Sequence, residues 1–155
     1  MHNIYTSTMK KLFTLTTVFV VIMLASWACS SNNDVIVAFK DLPTISQEFI
    51  NTYYPGVQVK TVLETKTQYE VDLGNGAELD FDKTTGEWQE IDDANGIPQG
   101  IINTIPSNIR TYLFDNGLLD NKVYELSRAS QGGYMLQLDN GLKLKFDADG
   151  NNIPM

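Results

Sequence analysis

The sequence predicts an α+β fold in which two tandem copies of one unit, a helix followed by an antiparallel meander, share a single sheet. Three observations predict it. A fourteen-residue stretch recurs without a gap: Tyr69-Glu70-Val71-Asp72-Leu73-Gly74-Asn75-Gly76-Ala77-Glu78-Leu79-Asp80-Phe81-Asp82 returns as Tyr134-Met135-Leu136-Gln137-Leu138-Asp139-Asn140-Gly141-Leu142-Lys143-Leu144-Lys145-Phe146-Asp147. Each copy reaches a glycine turn soon afterwards, at Gly86 and Gly150. Upstream, Leu42-Pro43 precedes Phe49-Ile50 at the same offset as Ile105-Pro106 precedes Tyr112-Leu113.

The first helix is expected to begin at Pro43, because a first helical turn has no use for the missing N–H. Ile45, Phe49, Ile50 and Tyr53 fall at helical spacing and give one apolar stripe, and Pro55-Gly56 ends it. Val57, Val59, Thr61 and Leu63 then alternate with Gln58, Lys60, Val62 and Glu64, the pattern of a strand with one buried face. Tyr69, Val71 and Leu73 alternate with Glu70 and Asp72. Gly74-Asn75-Gly76 is a hairpin signal, and Ala77, Leu79 and Phe81 alternate with Glu78, Asp80 and Asp82. Trp88 and Ile91 mark a short last strand. Ile97 to Ile102 predicts one extra helical turn between the copies.

The second copy predicts a helix from about Pro106 to Phe114, ended by Gly117, and strands over Val123 to Leu126, Tyr134 to Leu138 and Leu142 to Phe146. Its fourth strand is expected to be short or missing. One helix over one sheet is a thin core. Two units sharing a continuous sheet bury more and remove an exposed edge, so both helices are expected on one face and the other face partly open.

The N-terminus carries an address. Met9-Lys10-Lys11 is a basic start, Leu12 to Leu24 an apolar run interrupted by threonines, and Ala25-Ser26-Trp27-Ala28 a stretch with small residues before Cys29. That is the pattern of an export signal, too short and too threonine-rich for a membrane span. Residues 1–28 are therefore expected to be a signal peptide, 29–37 a tether, and 38–155 the folded part, with one repeat over about 38–95 and the other over about 96–155. The site before Cys29 resembles the lipobox of bacterial lipoproteins. Ala28 fits it; Ser26 and Trp27 depart from it and leave ordinary cleavage open. The resemblance implies lipidation of Cys29, hence a membrane anchor and a location in the periplasm, the outer membrane or the cell surface.

The chain is acidic, with a formal charge of -8, and loss of Lys10 and Lys11 with the signal makes the remainder more so. Such a surface repels nucleic acid and suits solubility, cations or a basic partner. Nucleophilic catalysis fails on inventory: His2 is the only histidine and Cys29 the only cysteine, both at or before the tether. No cofactor is implied. Glu70, Asp72, Glu78, Asp80 and Asp82 could cluster across strands as an acid/base pair would, but the second copy has Lys143 and Lys145 where the first has Glu78 and Asp80, and a solvated sheet face explains them more simply. Asp80 and Asp82, with Asp147 and Asp149, faintly match calcium loops, without EF-hand spacing or a closing glutamate. Trp88, Tyr69 and Tyr134 are candidate contact residues if they face outward; the recurrence of Tyr69 and Tyr134 at equivalent repeat positions fits a place in the core better.

The doubled pattern (Leu or Ile before Pro, an apolar helix, then Tyr, Leu, Asn-Gly, Leu and Phe-Asp before a glycine, behind a lipoprotein-like signal) resembles the PepSY-like, β-lactamase-inhibitor-like proteins. The resemblance spans about residues 38–155. It implies helices on a curved antiparallel sheet and a secreted or periplasmic setting in gut-type bacteria. It supplies no substrate and no catalytic residues. The expected function is that of an exported, non-enzymatic binding protein of the cell envelope, contacting a protein or peptide through its open sheet face. The alternatives are a calcium- or carboxylate-dependent protein or enzyme, and a structural lipoprotein with no discrete ligand.

Overall fold

The computed structural model describes residues 34–129 and 132–155. The segment expected to be a signal peptide, with His2, and the expected lipidation site Cys29 lie outside them. Nine strands form one antiparallel sheet in simple chain order, β1 to β9. They are β1 (Val35–Ile36), β2 (Val59–Glu64), β3 (Gln68–Leu73), β4 (Glu78–Asp82), β5 (Trp88–Asp92), β6 (Val123–Arg128), β7 (Tyr134–Leu138), β8 (Lys143–Phe146) and β9 (Asn152–Ile153). The helices are α1 (Thr44–Tyr53), the short α2 (Gln99–Ile102) and α3 (Ser107–Asp115), with one 3-10 turn at Phe39–Asp41.

Both halves are built from the same local chemistry. Pro43 and Pro106 stand immediately before α1 and α3, in extended backbone, rather than inside the first turn. The Pro43 carbonyl accepts the Gln47 N–H, so the proline contributes its acceptor where its absent donor costs nothing. At the two hairpins, Leu73 and Leu138 donate N–H to the carbonyls of Ala77 and Leu142, and Asn75 and Asn140 side chains accept the Ala77 and Leu142 N–H groups. Equivalent bulges interrupt β2 between Val59 and Thr61 and β6 between Val123 and Glu125, each spending one extra residue on local twist.

The helices cover one face of the sheet. Phe49 of α1 meets Phe81 edge-on with centroids 5.7 Å apart, and Tyr112 of α3 meets Phe146 in the same way at 5.4 Å. Around these contacts Val71, Leu79, Ile91, Leu126, Leu136 and Leu144 line up across the strands as a continuous buried core. The copies join where β5 pairs with β6, placing Ile91 opposite Leu126, so one core runs through both units. This compact body spans Asp34–Met155. Beyond the expected elements it contains β1, whose partners on β2 are Glu64 and Leu63; the two-residue β9 is the second copy's fourth strand, short as expected.

Candidate functional site

Alternation that buries Val71, Leu79, Ile91 and Leu126 turns their neighbours outward. Register then aligns them in rows. Glu70 on β3 lies opposite Asp80 on β4, which lies opposite Glu90 on β5. One step along the strands, Asp72 faces Glu78, Glu78 faces Asp92, and Asp92 faces Glu125 on β6. Seven carboxylates thus occupy four adjacent strands on the face without helices. Directly opposed like charges destabilise a sheet. The ion pairs formed by the described residues, Lys83–Glu64 and Arg128–Glu87, do not involve these seven carboxylates. Farther along the same rows stand Lys145, opposite Met135, and Lys143, opposite Gln137.

The crowding shows in protonation. Burial first, then the carboxylates of Glu70 and Glu90, pushes Asp80 up to about 7. The Gln68 amide donates to Asp80 Oδ2 at 2.6 Å and works in the other direction. Partial desolvation, followed by Glu125, Glu90 and Glu78, raises Asp92 to about 6. Asp92 is the more exposed of the two, so solvent screens its neighbours better and Asp80 is the stronger handle. Glu70 and Glu90 shift upward as well, each chiefly through burial.

The candidate metal ligands do not come together. Asp82 Oδ1 accepts the N–H groups of Thr84 and Thr85 at 2.9 and 2.7 Å, together with the Thr85 hydroxyl. Asp147 accepts from the backbone of Asp149 and Asn151 and from the Asn151 amide. These bonds hold both carboxyls below the usual carboxylate range: for Asp82 the Thr85 N–H leads, for Asp147 the Asn151 side chain. The two aspartates organise their own turns. Asp80 belongs to the carboxylate rows, and Asp149 is exposed on the turn after β8, four strands along from β4. Among the described residues no group of three or more His, Cys, Asp or Glu side chains is placed to hold a metal ion.

The candidate aromatics lie on the helix side, not on the open face. Tyr69 is 9% and Trp88 5% exposed, both within the core, and Tyr134 packs against it with its ring 6.5 Å from that of Trp88. The Arg128 guanidinium covers the indole of Trp88 at 4.4 Å and donates to Glu87 at 2.8 Å. Ile45, Phe49, Tyr53, Trp88 and Arg128 line a shallow, solvent-open groove of about 320 Å³ beside them.

Sequence reasoning missed Glu90, Asp92 and Glu125 as members of the acidic face. The signal was present in Glu90-Ile91-Asp92 and Glu125-Leu126, where charge flanks a buried aliphatic. What could not be read was that β5 and β6, separated by thirty residues, lie side by side.

A family model described as beta-lactamase-inhibitor-like, PepSY-like matches residues 24–85 and again 68–153. The chain belongs to the PepSY-like family. Among solved structures, this PepSY-like chain is similar to a periplasmic protein from Bacteroides vulgatus at 28% identity and TM-score 0.72, covering 80% of this chain and 97% of that one. A second Bacteroides vulgatus periplasmic protein, of unknown function, matches at 32% identity and TM-score 0.70, over 78% of this chain and 97% of that one. A Bacteroides thetaiotaomicron periplasmic protein for which calcium regulation has been proposed matches at 31% and 0.69, over 78% and 94%. No curated protein matches the chain.

Proposed function

We propose that this PepSY-like chain is an exported, non-enzymatic binding protein of the cell envelope, and that it engages a basic protein or peptide surface through the open face of its sheet. The observation that carries this reading is the register of Glu70, Asp80 and Glu90 beside Asp72, Glu78, Asp92 and Glu125, an outward arrangement that costs the fold stability and gains nothing within it. A basic partner would relieve that repulsion, and potential complementarity of this kind speeds encounter and fixes orientation. The described residues contain neither histidine nor cysteine, which fits a role without nucleophilic catalysis. The periplasmic descriptions of the relatives support export. Lipidation at Cys29 would tether the domain to a membrane.

Calorimetric titration of residues 34–155 with a lysine- and arginine-rich peptide, at low and at physiological salt, tests the binding reading. Affinity is expected to fall as salt rises. It is expected to be lost in the Glu70→Gln, Asp80→Asn, Glu90→Gln triple variant and kept when Glu48, Asp115 and Asp120 are neutralised instead. Equal weakening in the two triple variants would show that total charge, not this face, does the binding. The anchor is tested separately: cells fed a labelled fatty acid should label the wild-type chain and not Cys29→Ser.

A further inference from the structure

We propose that the cross-strand carboxylate rows make the stability of this domain, and the charge of its open face, respond to pH between mildly acidic and neutral conditions. The proposal concerns the same face as the binding reading, but its test contains no partner, so either can fail alone.

The geometry is a ladder without counter-charge. Asp80 is bracketed by Glu70 on one side and Glu90 on the other, with Glu78 on its own strand and the Gln68 amide as its donor. Asp92 is bracketed by Glu78 and Glu125, with Glu90 on its own strand. The helices pack on the opposite face, and Lys143 and Lys145 stand two strands beyond Glu125 and Ser127. A middle carboxylate in such a row ionises only against its neighbours, so the first proton taken up goes to the centre of the ladder and relieves both flanks.

The sign follows from linkage. Asp80 has a value of about 7 in the folded chain against an ordinary 3.8, so between those limits the folded state holds more protons than the unfolded. Stability must then fall as pH rises through that window, and the loss is complete above it. Asp92, at about 6, adds a smaller contribution of the same sign. The face is most negative, and most strained, at the alkaline end.

Thermal melts of residues 34–155 from pH 5.5 to 8.5 in low salt read this directly; that segment holds the whole sheet and core, and the relatives' structures match it over nearly their full length. The midpoint is expected to drop by about 5 °C or more across the range. Asp80→Asn, which keeps an acceptor for Gln68 and removes the central charge, should flatten the slope by at least half and raise the midpoint at pH 8.5. Carboxyl-carbon NMR titration of the wild-type domain is independent of any variant's folding and should place the Asp80 midpoint near 7. A flat or rising wild-type profile, an unaltered slope in Asp80→Asn, or an Asp80 midpoint near that of a free aspartate would each overturn the proposal.

Discussion

Gly86 and Gly150 hold the helices to the sheet by what they lack. Their φ values of +73° and +82° lie in the left-handed region, and each sits under a helix start. A Cβ at Gly86 would come within 2.7 Å of the Pro43 ring and one at Gly150 within 2.8 Å of Pro106. Ser46 adds a buried bond, its hydroxyl donating to the Gly86 carbonyl at 2.8 Å. Gly86→Ala and Gly150→Ala are therefore expected to destabilise the domain by about 2 kcal/mol or more each, from backbone strain plus displacement of the helix start. Urea denaturation would read it, and a loss under about 0.5 kcal/mol would mean the helix starts give way freely. Both glycines were visible in the sequence as turn residues. Their close approach to the prolines was not, because no local pattern states which turn lies beneath which helix.

At the scale of elements, the duplicated pattern of hairpin, Phe-Asp turn and proline-led helix was legible because each piece is set by residues within a few positions of one another. The acidic side was legible strand by strand and not as rows, since rows depend on pairing across long loops. The junction is the clearest case. Ile91 and Leu126 are both fully buried and directly opposed, and they carry the core row from one copy into the other at β5–β6. Replacing either with Ala should cost about 3 kcal/mol by opening a cavity. Because the two side chains share that cavity, the double variant should fall short of the sum by 0.5 kcal/mol or more, on the order typical of contacting residues. Strict additivity in a double-mutant cycle would mean that the copies are coupled by backbone pairing and not by this packing.

For the molecule as a whole, two families of carboxylate pull stability in opposite directions. Asp82 and Asp147 are held low by hydrogen bonds within their turns and Asp139 chiefly by the Asn121 amide on a separate loop, so what they contribute is present near neutrality and disappears as acid protonates them below about pH 4. Asp80 and Asp92 are held high, and their penalty grows toward neutrality. The domain should therefore be most stable near pH 5, with melting temperature declining on both sides; a maximum at pH 7 or above would contradict the balance of the two groups. The net charge alone, which was legible from composition, predicts neither limb, because it does not say which acids accept N–H groups and which face one another.

The ends of the sheet have a bearing on assembly. Copies that join edge to edge, as β5 joins β6, possess a geometry that a second molecule could continue indefinitely. Here the row closes on two stubs. β1 offers two residues, Val35 and Ile36, and β9 offers Asn152 and Ile153 before Pro154, whose ring nitrogen has no hydrogen to give. Such curtailed edges are a poor template for another chain, so the duplication that doubles the core stops short of becoming a fibre, and the molecule can be held at high concentration without its sheet growing from one copy into the next.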